Sequence, residues 1–368
     1  MKTAYCAMPI SYYGSVEQAK LHNRVKAAGM SVVCPSGQKH QDAYEREGMA
    51  YFERLAASCD EVWALPFEDG AWSAGVVKEM AACGTFRDGG TGEPMALLPP
   101  SLSIEETRSR LGRSNPVKVG DTIAVWFSCG AASAIALQET LRQYGDHCTV
   151  RAINSPIAEE DEDNRRFMQD VADWLGIEVE IAVNSKFPDQ SAVDVWTKRK
   201  AMSFPNGAPC TIELKKKARQ EWEAKNHVDW HVLGFTAEEK NRHDRFVLTE
   251  RDNVLPVLID ANLTKPECAQ RLVEAGIQLP RIYRMGYPNA NCIGCVKATS
   301  PTYWNHVRQQ HPEVFQERAE QSRELGVRLA RYKGDRIFLD ELPADAKGAA
   351  MKSLQFECGL FCEEHQPE

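Results

Sequence analysis

The chain has 368 residues and a formal net charge of −8, a balance that argues against a broad nucleic-acid footprint and favours a small-molecule substrate. Hydrophobic residues make up 43% and charged residues 26%, as in a globular enzyme, and no apolar run approaches the roughly 18 residues a membrane helix needs. Twelve cysteines accompany an opening, "MKTAYCAMPISYYGS", with no basic region leading into an apolar stretch and cleavage site; a cytoplasmic protein is expected, its thiols reduced, buried or metal-bound rather than paired.

Length predicts two domains, each with its own core. From residue 1 to about 98, strand-like and helix-like segments alternate: "TAYCAMPI", "SVEQAKLHNRVKAAGM", "SVVCP", a helix through "YEREGMAYFERLAASC", "EVWALP" and "SAGVVKEMAACG". That rhythm predicts a small parallel α/β sandwich. Prolines, serines and charges in "MALLPPSLSIEETRSRLGRSNPVKVGD" interrupt it, and a linker is placed at 99–120. From 121 the chain restarts with "TIAVWFS" and the helix "SAIALQETLRQYG", then "TVRAIN", "EDNRRFMQDVADWLG", "EVEIAVN" and "WHVLGF". A second, doubly wound α/β domain is expected over 121–368, with a helical, cysteine-containing C-terminal part and ligands at the carboxyl ends of its strands.

In the first domain, "DGAWSAGVVKEMAACG" sets Gly75 four residues before Glu79. Together with "YCAMPISYYGS" this resembles the nucleoside 2-deoxyribosyltransferase-like superfamily, which also contains nucleotide N-glycosidases. The resemblance implies that Glu79 is the catalytic carboxylate, acting as nucleophile or stabilising an oxocarbenium-like state. It also puts Ser73 and Gly75 beside a 5′-phosphate at a helix N-terminus. Asp69, which follows "EVWALP", is a second catalytic candidate. The alternative is a sandwich kept for oligomerisation or ligand sensing.

The second domain opens with strand, small-residue loop and helix, an arrangement that offers backbone N–H groups to phosphate. The loop reads Ser128-Cys129-Gly130-Ala131-Ala132-Ser133 and has neither Walker nor dinucleotide spacing. It resembles the pyrophosphate-binding loop SGGxDS of the N-type ATP pyrophosphatases (PP-loop superfamily), with cysteine and alanine where that family has glycine and aspartate. "DVWTKRKAMSFPNGAPCTIELKKKARQEW", "HVLGFTAEEKNRHDR" and "LPRIYRMGYPNANCIGCVKATSPTYWNHVRQQHPEVF" resemble successive segments of its phosphoadenylylsulfate-reductase-like branch, over about 120–362. The resemblance implies ATP with Mg as substrate, phosphates at Ser128, Gly130, Ala131 and Ser133, and further contacts from Lys215, Lys216, Glu239, Arg242 and Arg245. For Lys217 and Lys240 a solvated face is expected. Cys129, beside a helix N-terminus, is either a reactive thiol or a tolerated turn residue.

Cys292 and Cys295 form a CxxC, and Cys210 precedes it in "APCTIELKK". This resembles the cluster-binding pattern of adenylylsulfate reductases, with Pro209 where a second cysteine would stand; Cys358 or Cys362 of "ECGLFC" is the replacement candidate. Thiolates hold either a [4Fe–4S] cluster or zinc, and both stay open, as does an unmetallated thiol site. Were only three thiolates to bind a cluster, an open iron could carry sulfide, as is thought for related tRNA thiolation enzymes. Cys210 is thereby both a metal and a catalytic candidate. Cys6, Cys34, Cys59, Cys83 and Cys148 are expected to be small buried hydrophobes.

Together the resemblances imply ATP-dependent thiolation of a purine nucleotide or base by sulfide or a sulfur-donor protein, followed by N-glycosidic release of the thiolated base, 6-thioguanine being one example. A homo-oligomer without membrane contact is expected. The rival readings are adenylylsulfate or phosphoadenylylsulfate reduction and a nucleotide-sensing or DNA-modification accessory protein.

Overall fold

The protein is described by a computed structural model covering residues 1–112, 115–203 and 207–351. Two compact units emerge, Met1–Asp121 and a second that starts at Thr122. Each is built on a parallel sheet. Among the described residues no helix is long and apolar enough to cross a membrane.

The first unit contains β1 (Thr3–Ala7), β2 (Ser31–Val33), β3 (Glu61–Ala64) and β4 (Phe86–Asp88), ordered β2-β1-β3-β4 with every pairing parallel. Alternation along β1 builds its two cores. Ala4 and Cys6 pack with Leu21 and Val25 of α1 (Val16–Ala27), whereas Tyr5 and Ala7 face Ala56, Val76 and Met80 on the opposite side. The single helix expected through "YEREGMAYFERLAASC" is two, α2 (Gln38–Glu47) and α3 (Met49–Ala57). Gly48 divides them at φ 64°, a conformation that costs a residue with a Cβ dearly. After β3 comes α4 (Ala74–Cys83).

The described residues of 99–120 do not form a linker. They contain α5 (Ile104–Leu111), opened by a reciprocal capping box between Ser103 and Glu106. Val16 N–H donates to Val117 O at 2.9 Å, and Val119 N–H to Gly14 O at 3.0 Å. Backbone pairing thus carries the first unit through to Asp121, against the expected end near 98.

The second unit has β5 (Thr122–Trp126), β6 (Thr149–Asn154), β7 (Val179–Ile181), β8 (Trp230–Val232) and β9 (Val254–Leu255), in the parallel order β7-β6-β5-β8-β9. The central β5, "TIAVW", is buried on both faces, which explains its unbroken apolar character. Direction of winding reverses between β5 and β8. Such a switch leaves a crevice beyond the strand ends.

Helices α6 (Ala131–Tyr144), α7 (Asp163–Leu175) and α8 (Ala192–Arg199) follow the first strands of this sheet. A π-helical stretch over Thr211–Lys217 leads into α9 (Ala218–Glu223), and α10 (Lys240–Thr249) and α11 (Val257–Asp260) flank β9. Further helices are α12 (Lys265–Glu274), α13 (Arg281–Arg284), α14 (Pro301–Gln310) and α15 (Pro312–Glu324). A separate apolar core joins α8, α14, α15 and the segment around the CxxC.

Candidate functional sites

At the switch point, the turns that follow β5, β6 and β8 meet in a cavity of ≈ 140 Å³. Its walls include Ser128, Gly130, Ala131 and Ser133 together with Lys215, Glu239 and Arg242, all candidates put forward from the sequence. Lys216 and Arg245 are not among the lining residues, and Arg245 is exposed on α10.

The loop holds its shape through Ser133. Its Oγ accepts from Ser128 N–H at 3.2 Å and donates to Gly130 O at 2.9 Å, while the Ser128 hydroxyl lies 3.2 Å away. Gly130 caps α6 without a side-chain bond, so the first N–H groups of the helix are offered outward. One of them, on Ala131, donates to Tyr283 Oη at 3.3 Å. A hydroxyl oxygen therefore occupies this N–H at the start of the helix.

Gly234 sets the depth of the crevice. A Cβ there would lie 2.9 Å from Ser133 N and 3.1 Å from Ala132 C, so only glycine lets the β8 turn close on the start of α6. Lys215 is buried, with Nζ donating to Ser155 O at 2.5 Å and to Glu160 Oε1 at 3.1 Å. The π-helical stretch that carries it was not foreseen; such stretches recur at functional sites. Arg242 pairs with Glu239 at 2.7 Å and lies over the Phe235 ring. Lys265 reaches Asn289 Oδ1 at 2.6 Å. A helix N-terminus, serine hydroxyls and three basic side chains around one crevice suit a polyphosphate.

Cys129 is placed unlike a reactive thiol. It is buried outside the lining, and burial pushes its thiol well above the ordinary range, with Glu160 reinforcing and Lys215 opposing the shift. Its backbone has φ 58°, the left-handed region, at the place where the resembled loop has glycine. It is a turn residue.

Sequence reasoning missed Ser155, Gly234, Lys265, Tyr283, Asn289 and Asn291 in this cavity. Tyr283 and Ala131 are 152 positions apart, so no local pattern announces their contact.

In the first unit a cavity of ≈ 320 Å³ is lined by Ser73, Gly75 and Glu79 with Met8, Tyr13, Tyr44 and Phe52. The spacing Gly75 to Glu79 is one helical turn, which puts both on one face of α4. Glu79 is only 6% exposed. Burial pushes its carboxyl up to about 8, with the Tyr5 hydroxyl beside it pulling the other way and Glu53 adding to the rise. Ser73 caps α4, its Oγ accepting from Val76 N–H at 3.3 Å. The side chain expected beside phosphate is therefore first a helix cap.

Asp69 is a correction. It stands exposed on a turn outside this cavity, accepts from Ala71 N–H at 3.1 Å and pairs with Arg110 at 2.9 Å. The Ala71 hydrogen bond, then Arg110, holds its carboxyl below the ordinary range. Its ion pair is with Arg110 of α5, away from this cavity.

Cys210 and Cys295 are buried in the apolar core of the helical part, and Cys292 packs against it. Between the latter two, Gly294 has φ 68°, and a Cβ on it would press to 2.9 Å from Val314 Cγ1, so the turn demands glycine. Cys295 N–H donates to Tyr303 Oη at 2.9 Å. All three are soft donors of the kind thiophilic metals take, and they share one apolar core. Among the described residues no group of three His, Cys, Asp or Glu converges on a metal position. The fourth-donor candidates Cys358 and Cys362 lie outside the described residues. Of the cysteines expected to be buried hydrophobes, Cys6 is fully so; Cys34, Cys59, Cys83 and Cys148 are half-buried. Lys240 is exposed and pairs with Asp244 at 2.8 Å, whereas Lys217 departs from a solvated face by pairing with buried Glu213 at 2.9 Å.

No protein-family model matches the chain, and no curated protein matches its sequence.

Proposed function

We propose that the second unit is a PP-loop sulfurtransferase that uses MgATP to thiolate a purine nucleotide or base, and that the first unit releases the thiolated base by N-glycosidic cleavage. The observation that carries the reading is the convergence of Ser128, Gly130, Ala131 and Ser133 with Lys215, Glu239 and Arg242 at the sheet's switch point.

In this reading the open N–H groups of α6 and the Ser128 hydroxyl receive the phosphates, displacing Tyr283 Oη from Ala131 N–H. Arg242 and Lys265 balance the charge that moves onto the departing pyrophosphate. The purine carbonyl oxygen attacks the α-phosphorus, and the α–β bridging bond breaks to release pyrophosphate. Sulfide then adds to the activated ring carbon, and AMP leaves with the former carbonyl oxygen. The net change is ATP, purine carbonyl and sulfide to AMP, pyrophosphate and thiocarbonyl. A cluster bound by Cys210, Cys292 and Cys295 alone would keep an open iron able to take the sulfide, whereas a fourth thiolate from Cys358 or Cys362 would close the site and leave the cluster or zinc an electrostatic or structural role.

In the first unit, Glu79 as carboxylate attacks the anomeric carbon and the base departs; water then frees the sugar phosphate. Burial holds Glu79 protonated at neutral pH, so cleavage rises with pH and levels off above about 8.

The test is incubation of the full chain with MgATP, GMP and sulfide, following pyrophosphate, AMP and thiopurine by mass spectrometry. Sulfide-dependent formation of all three supports the reading. ATP left intact with every common purine and purine nucleotide overturns it.

A further inference from the structure

The first-unit cavity is bounded on one side by a helix beyond residue 98. Ile104, Thr107, Arg108 and Leu111 of α5 all line it. Their spacing, i, i+3, i+4 and i+7, is one face of a helix, so α5 lies along the cavity by a continuous face. Thr107 Oγ1 accepts from Ala74 N–H at 3.1 Å, which sets that face against the first turn of α4.

The lining divides by chemistry. Met8, Tyr13, Tyr44, Met49 and Phe52 supply apolar and aromatic surface of the kind a base packs on. Glu79 is the acid among the described lining residues, and Lys78 and Arg108 are the basic ones. Both cations are exposed, and among the described residues neither forms an ion pair. Arg108 follows Thr107 in the chain and so belongs to the same end of α4 as Ala74. The Ser73 hydroxyl at that end is committed to Val76 N–H, and a charged partner for an anion there has to come from another element. From Ala74 to Glu79 the helix rises about 7.5 Å. That separation is comparable with the length of a sugar from its anomeric carbon to a phosphate on its 5′ oxygen. A guanidinium suits such a phosphate, because its planar fork can bind two oxygens at once.

We propose that Arg108 is a specificity-determining residue of the first-unit site, binding the substrate's phosphate so that nucleoside 5′-monophosphates are taken in preference to nucleosides. The inference rests on the glycosidase part of the proposed function and adds α5 to its site.

The full chain as wild type, Arg108→Met and Arg108→Lys is given GMP and 6-thio-GMP and, separately, guanosine and 6-thioguanosine. Free base is followed by chromatography, and binding of GMP and of guanosine by calorimetry. Arg108→Met should lower the preference for monophosphate over nucleoside about 10–100-fold, in kcat/KM and in affinity, the size expected for losing a hydrogen bond between charged groups. Arg108→Lys should recover part of it, keeping the charge without the fork. An intact preference in Arg108→Met, including equal losses on the two classes of substrate, overturns the assignment while leaving cleavage in place. A wild type that binds GMP but releases no base overturns the glycosidase reading alone, and the calorimetric preference then decides the role of Arg108. A wild type that binds neither GMP nor guanosine overturns both.

Discussion

Replacing Glu79 by glutamine should stabilise the first unit at neutral pH, although the residue is the proposed catalytic carboxylate. Burial raises its folded-state value from an ordinary 4.5 to about 8, so the fold favours the protonated form. Below pH 4.5 folded and unfolded chains both hold the proton, and stability does not change with pH on this account. Between 4.5 and 8 the unfolded chain has lost the proton while the folded one keeps it, so stability falls as pH rises, by about 1.4 kcal/mol per unit. By pH 7 the loss reaches roughly 3 kcal/mol, and above about 8 it levels off. Glutamine has the shape of the protonated acid and no proton to lose, so its variant escapes the penalty. Hydrogen exchange of amides in β1 and α4 isolates the first unit from the second. At pH 7 Glu79→Gln should slow the exchange of the most protected amides about a hundredfold, a gap that closes towards pH 5. Equal protection in the two proteins from pH 5 to 8 would refute the raised carboxyl and the pH dependence assigned to cleavage.

Gly234→Ala should weaken ATP binding at least tenfold by calorimetry, because its Cβ would meet Ser133 N at 2.9 Å and displace the β8 turn from α6. Unchanged affinity would remove this crevice from the nucleotide site. Cys129→Ala should keep full thiolation activity, and native Cys129 should resist iodoacetamide at pH 8 when mapped by mass spectrometry, since its thiol is buried and pushed up. Rapid labelling would restore it as a reactive group. Asp69→Asn should change glycosidase activity less than twofold and cost under about 1 kcal/mol in a urea melt, as expected of an exposed ion pair. A large loss of turnover would return Asp69 to the site.

Alternating strand and helix segments were legible in the sequence because side-chain period and burial are coupled locally. "TIAVW" reads as a central strand and "SAIALQETLRQYG" as a helix without knowledge of their neighbours. Weaker signals were overridden. Gly48 interrupts a periodic apolar pattern that otherwise reads straight through it, and the prolines near residue 100 obscured the Ser103-to-Glu106 capping box of α5. The two-residue β9 is too short to show any period.

Candidate sites divided along the same line. Glu79 and Gly75 share a face of α4, and Ser128, Gly130 and Ser133 belong to one turn; spacing of a few residues carries that information. Exclusion of Asp69, Cys129, Lys216 and Arg245 from the cavities depends on where each side chain ends up, as does admission of Tyr283, Lys265 and Asn289. The sequence by itself determined the α/β alternation, the turn chemistry and the residue types available for phosphate and metal. Only the tertiary structure decided which charges are buried and which meet, because desolvation and pairing depend on segments brought together from distant parts of the chain. Arg318 illustrates this: a basic residue on an amphipathic helix until the core closes over it beside the CxxC turn.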